Sequence, residues 1–302
     1  MAERILLVDD EVDFLDVVGE FLEDEGYEMT TAENGRQALA ILERQTFDLL
    51  LSDINMPGMK GFELLREAAA RYPAMRRALI TAYDVRDYLY MAKNYDIGNI
   101  ITKTTPFNFD EIRVLLRTIL TGDIFGLGHY IKGTIHTKTI RQAGEIEDAV
   151  TTIAESMEED EHKRKFRQAL GEIVVNAFFY GARDERGDQK DKWEFGAELS
   201  PREAVIVSWG SDAEKTGASV TDQKGRLTKK EVLYWLERNT TKGSDGLSLG
   251  LLDEHGKGLY IARETIDRFI VNVEKGKRTE AVMINYKRGL YDGHRPLWIH
   301  EI

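Results

Sequence analysis

The stretch FDLLLSDINMPGMKG, residues 47–61, runs three leucines straight into Ser52 and Asp53. A short, nearly continuous apolar run reads as a strand buried on both faces, as in a parallel sheet. Working outward, the same pattern recurs in ILLV at 5–8, ALITA at 78–82 and NIITK at 99–103, with amphipathic stretches such as Phe14 to Phe21 between. The alternation predicts an α/β fold: a doubly wound, five-stranded parallel sheet made of βα units. In such sheets chemistry sits beyond the carboxyl ends of the strands. Asp9 and Asp10 follow the first strand, Asp53 the third, Thr81 the fourth and Lys103 the fifth, so one edge collects them.

Clustered carboxylates repel one another unless a hard cation joins them, and oxygen ligands of this kind suit Mg²⁺. With Mg²⁺ and the Lys103 ammonium neutralising phosphoryl oxygens, one carboxylate can act as nucleophile and carry an acyl phosphate, to which Thr81 donates a hydrogen bond.

VDDE at 8–11, SDINMPGMKG at 52–61, ITA at 80–82 and Lys103 closely resemble the motifs of the two-component response-regulator receiver family, over about residues 3–121. The resemblance implies that Asp53 is phosphorylated by an upstream sensor histidine kinase. It also implies that Asp9, Asp10 and Asp53 with the Asn55 carbonyl hold Mg²⁺, and that Thr81 and Lys103 read the phosphate. Two positions depart from the pattern. Thr104 and Thr105 separate Lys103 from Pro106, and Ile100 stands where the family has an aromatic switch residue, a part that Tyr83 or Tyr88 could take.

The chain has 302 residues, enough for two domains. Hydrophobic residues make up 42%, and no apolar run approaches the roughly 18 residues of a membrane span. The N-terminus MAERILLVDD lacks signal-peptide features, so a cytoplasmic protein is expected. Zero cysteines exclude disulfides and Cys-ligated zinc. A net charge of −12 without a basic helix face argues against direct DNA binding.

DEIRVLLRTIL at 110–120 reads as the closing helix of a first domain over 1–121. The glycines of GDIFGLGHYIKG then mark a linker at 122–133, either packed on one domain or acting as a connector, and a second domain spans 134–302. There the pattern predicts a strand near 133–141, helices at 145–158 and 161–181, and strands at 204–210 and 217–222. A helix from the HGKGLYIA segment to Phe269 and strands at 270–275 and 280–286 follow. LTKKEVLYWLERNTT, within 226–255, reads as a lid helix or a docking surface, with Val232, Leu233 and Leu236 on one face. Glu172 and Asn176 stand four apart and share a helix face, expected at a buried edge. Gly256 and Gly258 open a helix whose backbone N–H groups and dipole suit phosphate. Asp222, at a strand end, could accept from an exocyclic adenine amine.

The order Glu172/Asn176, Asp222/Gly225, Gly256/Gly258, Thr279 looks like the histidine-kinase-like ATPase superfamily over about 134–288, nearest its anti-sigma-factor serine kinase branch. That resemblance implies an α/β sandwich that binds ATP. Asn176 would coordinate the nucleotide's Mg²⁺, Asp222 read adenine, and Gly225, Gly256 and Gly258 shape the pocket and lid. Thr279 would back the adenine and Glu172 serve as general base. Gln223-Lys224-Gly225 after Asp222, and Tyr180 one turn after Asn176, depart from the pattern.

Two functions compete. One is a response regulator whose output is a serine/threonine protein kinase acting on an anti-sigma-antagonist-like protein; the other is a binding module that sequesters a sigma factor or other partner. A base at Glu172 favours the kinase. Both families often dimerise, so a homodimer is expected. His129, His136 and His162 lack the surroundings of a phosphoacceptor histidine.

Overall fold

The computed structural model describes residues 2–156, 160–182, 196–251, 253, 256–287 and 290–302; His255 and the side chain of His162 lie outside the described residues. The chain divides into two compact units, Met1–Ile124 with Tyr291–Leu297, and Phe125–Leu290 with Trp298–Ile302. The segment read as a linker is therefore shared out at residue 124, and residues 291–297 group with the first unit.

The first unit runs β1 (Arg4–Val8), α1 (Val12–Asp24), β2 (Glu28–Ala32), α2 (Gly35–Leu42), β3 (Leu49–Asp53), α3 (Gly61–Arg71) and β4 (Arg76–Thr81). A 3₁₀ turn at Val85–Tyr88 leads into α4 (Leu89–Asn94), and β5 (Asn99–Thr102) and α5 (Phe109–Thr121) complete it. The sheet order is β2-β1-β3-β4-β5, parallel throughout, as the apolar runs predict. Every residue of β3 is buried, as expected of a strand covered on both faces. Local chemistry sets the helix ends. Asn34 Oδ1 accepts from Gln37 N and Asn108 Oδ1 from Glu111 N, and Gly122, at φ +72°, turns the chain out of α5. The register sets Asp53 beside Ile80 and Thr81 beside Thr102, so the chain leaves β3, β4 and β5 at one edge.

The second unit contains β6 (Ile135–Ile140), α6 (Ile146–Glu155), α7 (Asp160–Asn176) with a wider π-helical turn at Ala177–Ala182, β7 (Val205–Ser211), β8 (Lys215–Asp222) and α8 (Lys229–Thr240). It continues through α9 (Lys257–Thr265), β9 (Arg268–Glu274) and β10 (Arg278–Tyr286). From Trp298 on, β11 (Leu297–Glu301) pairs in parallel with β9. The sheet order is β11-β9-β10-β8-β7-β6, antiparallel from β9 through β6. Helix α7 packs on β8 and β10, and α9 on β9; Phe166 and Phe178 are fully buried beneath them.

Two boundaries differ from the sequence reading. The helix expected to reach Phe269 ends at Thr265, because Asp267 is held between Asn285 Oδ1, which accepts from its amide at 3.1 Å, and Tyr286 N, which donates to its carboxylate at 2.9 Å; Phe269 lies in β9. The regular helix expected over 161–181 gives way to the π-helical turn after Asn176.

Candidate functional sites

At the carboxyl edge of the first unit's sheet, Asp9 is fully buried and Asp53 nearly so, while Asp10 is exposed. Lys103, one residue past β5, reaches back between them: its Nζ lies 2.9 Å from Asp9 Oδ2, 3.4 Å from Asp53 Oδ1 and 2.8 Å from Glu11 Oε1. The ammonium also stands 4.3 Å from the Phe14 ring centroid, a cation–π contact that helps hold it. Burial pushes the Asp9 carboxyl up to about 6, with Lys103 offsetting part of the effect. Burial likewise raises Asp53, opposed by Lys103 and by the Asn55 amide that donates to Asp53 Oδ2. For Lys103, burial favours the neutral amine, but the hydrogen bonds to Glu11 and Asp9 and the charges of Asp9 and Asp53 outweigh it and raise the group.

Thr81 is buried, and its Oγ1 accepts from Tyr83 N at 3.1 Å, which leaves the hydroxyl proton free to point elsewhere. Asn55 Nδ2 donates to the Tyr88 hydroxyl, and the Tyr88 ring stacks on Phe62 at 6.1 Å. Of the two tyrosines considered for the switch role, Tyr88 thus borders the site, whereas Tyr83 is 58% exposed; Ile100 is buried in the sheet. The expected gathering of three carboxylates is looser than the sequence suggested. Among the described residues no three His, Cys, Asp or Glu side chains converge as a cation cage, because Asp10 points to solvent and the Lys103 ammonium bridges Asp9 and Asp53. Glu11, quoted in the VDDE run without a role of its own, is the residue sequence reasoning missed; nothing in its spacing marks it as a partner of Lys103.

In the second unit, the start of α9 meets α7 at the expected pair. A Cβ placed on Gly258 would fall 2.6 Å from Asn176 Nδ2 and 3.1 Å from Glu172 Oε2, so any larger residue here must push the Asn176 side chain aside. Glu172 is exposed rather than set at a buried edge, and Asn176 is half-buried. Asp222 is buried, which raises its carboxyl above the usual range; its Oδ1 accepts from Lys224 N at 2.9 Å and Gly225 N at 3.2 Å. Its Oδ2 lies against Gly181, where a Cβ would stand 2.6 Å away. Thr279 faces Asp222 directly across the β10–β8 ladder.

Two expected pocket glycines have plain packing reasons. Gly225, at φ +56°, presses on the β9–β10 turn, where a Cβ would meet Glu274 O at 2.1 Å. Gly256, at φ +81°, starts α9 under the Trp235 ring of α8, 2.5 Å from a built Cβ. Helix α8 forms where LTKKEVLYWLERNTT predicts it, started by a Thr228/Glu231 capping box and burying Val232, Leu233 and Leu236. His136 stacks on Trp209 at 5.6 Å between paired strands. Among the described residues no helix is long and apolar enough to cross a membrane.

A parallel sheet in the order β2-β1-β3-β4-β5 that delivers buried aspartates, a threonine and a lysine to one edge defines a receiver-type signalling domain. Residues 5–117 match the response regulator receiver domain, and the chain belongs to that family, whose members are phosphorylated on an aspartate in two-component signalling. Sporulation initiation phosphotransferase F of Bacillus subtilis is 35% identical over 120 residues, 95% of that protein and 40% of this chain. The DNA-binding transcriptional regulator NtrC of Salmonella typhimurium is 35% identical over 117 residues, but the match spans only 24% of its length. A CheY-like receiver domain protein from Methanospirillum hungatei is 33% identical, with a TM-score of 0.38 over 40% of this chain and 96% of that one. A Thermotoga maritima response regulator, TrrA, solved in complex with Mg(2+)-BeF, is 35% identical, with a TM-score of 0.36 over 39% of this chain and 99% of that one.

Proposed function

We propose that Asp53 is the phosphoacceptor of this receiver, taking a phosphoryl group from an upstream sensor histidine kinase and controlling an ATP-binding output in the second unit. The observation that carries the first half is the Lys103 ammonium poised between Asp9 and Asp53. An Asp53 carboxylate oxygen attacks phosphorus, the P–N bond to the donor imidazole breaks, and an acyl phosphate forms. Lys103 then pairs with a phosphoryl oxygen, and the Thr81 hydroxyl donates to another. One ammonium stands against Asp9, Asp53 and Glu11 with Asp10 nearby, a charge deficit that fits a divalent cation held by Asp9, Asp10, Asp53 and the Asn55 carbonyl. When bound, Mg²⁺ neutralises phosphoryl charge as the bond forms.

The test is incubation with radiolabelled acetyl phosphate and Mg²⁺. Hydroxylamine-labile label on the wild type and none on Asp53→Asn is the expected result; label of equal strength on Asp53→Asn would sink the assignment.

For the second unit, the close seat of Gly258 on Asn176 and Glu172, together with buried Asp222, supports a histidine-kinase-like ATPase site that binds ATP. Asn176 would hold its Mg²⁺, Asp222 and Thr279 would receive adenine, and Gly225 and Gly256 would fix the surrounding backbone. With Glu172 as base, this unit acts as a serine/threonine protein kinase or anti-sigma factor on an anti-sigma antagonist or sigma-factor-like protein, in a chain that pairs with a second copy of itself. The exposure of Glu172 favours the second reading, a non-catalytic ATP-dependent binding module, because bulk water reaches the carboxylate instead of a closed pocket that would hold it against a substrate hydroxyl. Labelled γ-phosphate ATP with candidate antagonist proteins decides between them: label on a partner hydroxyl that disappears with Glu172→Ala supports the kinase, and ATP binding without transfer supports the binding module.

A further inference from the structure

Seven residues from the far end of the chain, Tyr291–Leu297, group with the first unit although they lie well outside the 5–117 that match the receiver family. They are fastened to the two loops that leave the phosphate-reading residues. Thr105 N donates to Asp292 O at 2.8 Å and Asp292 N to Thr105 O at 3.1 Å, a two-bond antiparallel bridge two residues past Lys103. Gly293, at φ +154°, sits against Thr104, so close that a Cβ would stand 3.2 Å from Thr104 Cα. His294 Nδ1 lies 3.7 Å from Asp84 Oδ2, three residues past Thr81. The same segment runs into β11, whose Trp298–Glu301 pair with Ile270–Val273 of β9.

We propose that Tyr291–Leu297 is a strap that reads the phosphorylation state of the receiver, fastened while Asp53 is unmodified and loosened when the phosphoryl group forms. This rests on Asp53 being the phosphoacceptor. The physical argument is one of competing pulls. Lys103 Nζ is closer to Glu11 (2.8 Å) and Asp9 (2.9 Å) than to Asp53 (3.4 Å). A phosphoryl group adds charge of about −1.5 to −2 and three strong acceptor oxygens. Lys103 and Thr81 move toward it; the backbone of 104–105 follows Lys103 directly, and that of 83–84 is tied to Thr81 through the Tyr83 N–H donated to its Oγ1. Bonds made edge-on to residues 292–294 do not survive such a shift unchanged. The displaced strap hands the change on along the chain, because the strand it leads into is part of the second unit's sheet. An output of this kind explains how the receiver works with Ile100 in place of an aromatic switch: the signal leaves through backbone bonds at Thr105 rather than through a side chain on β5.

The experiment is amide hydrogen exchange on the full chain, resolved at Thr105 and Asp292, with and without beryllium fluoride and Mg²⁺ as the phosphoryl stand-in. Fluorine NMR on the same samples reports whether the fluoride is bound. The expected result is bound fluoride in the wild type, none in Asp53→Asn, and exchange at both amides faster by about tenfold or more only when fluoride is bound. Bound fluoride with unchanged exchange at Thr105 and Asp292 overturns the strap while leaving the phosphoacceptor intact. No bound fluoride in the wild type overturns the phosphoacceptor reading, and the strap proposal with it.

Discussion

Lys103 Nζ lies 2.9 Å from Asp9 Oδ2, and the aspartate is fully buried. The ammonium only partly offsets the burial, so Asp9 titrates near 6 in the folded chain against about 3.8 when exposed. Between those values the folded state holds a proton that the unfolded state releases, so Asp9 makes stability fall as pH rises from about 4 to about 6. The raised Asp53 acts in the same direction. Each tenfold gain in proton affinity corresponds to about 1.4 kcal/mol, so the cost of ionised Asp9 is at most about 3 kcal/mol. In metal-free buffer, the urea midpoint of wild type relative to Asp9→Asn is expected to drop across pH 4 to 6 and level off above. A wild-type and variant difference that stays flat with pH would show that burial does not govern Asp9.

Mg²⁺ inverts this pattern. A cation at the same edge favours the ionised carboxylates, so its affinity should climb through pH 6 as Asp9 deprotonates and flatten above. Isothermal titration of the full chain with MgCl₂ at pH 5, 6 and 7.5 checks it. Asp9→Asn is expected to bind weakly at all three; equal affinity at pH 5 and 7.5 in the wild type would count against Asp9 as a ligand.

How far the sequence carried depended on what each residue's signal was made of. The runs at 5–8, 49–53, 76–81 and 99–102 were legible because strands covered on both faces are apolar throughout. β2, Glu-Met-Thr-Thr-Ala at the sheet edge, carries no such run, and its place follows from the βα alternation alone. Lys103, Asp9 and Asp53 were legible because topology sends strand ends to one edge, whatever the side chains between. Glu11 was not, since a carboxylate at a helix start looks the same whether or not it holds a lysine. The hold of residues 291–297 on Thr105 was not legible for a simpler reason: it is backbone to backbone, and YDGHRPL has no periodicity to read. Asp267 likewise ends α9 through contacts with residues 285 and 286, which no local pattern announces.

Gly225 and Gly258 look alike in the sequence but should fail differently. An alanine at 225 would need a left-handed φ of +56° and would drive its Cβ to 2.1 Å from the Glu274 carbonyl, a backbone clash that cannot relax without opening the β9–β10 turn. Gly225→Ala is expected to lower the stability of the second unit by about 3 kcal/mol or more, with or without ATP. Thermal unfolding with both ligand states checks it; a loss that appears only in the presence of ATP would place Gly225 in the pocket instead.

At Gly258 the built Cβ meets side-chain atoms, Asn176 Nδ2 at 2.6 Å and Glu172 Cβ at 3.1 Å, and side chains on a helix face can swing away. Folding of Gly258→Ala should therefore suffer by only about 1–2 kcal/mol, the ordinary cost of mild overpacking. The displaced residue is Asn176, the one assigned to the nucleotide's Mg²⁺. ATP affinity is expected to fall by at least about tenfold, equivalent to about 1.4 kcal/mol. A fluorescent ATP analogue titrated into wild type, Gly258→Ala and Asn176→Ala provides the measurement. If Gly258→Ala and Asn176→Ala weaken binding to a similar extent and the double variant is no worse than either, the two act through one contact. If Gly258→Ala binds like the wild type, the α7–α9 junction is packing alone, and Asn176 is not a nucleotide ligand.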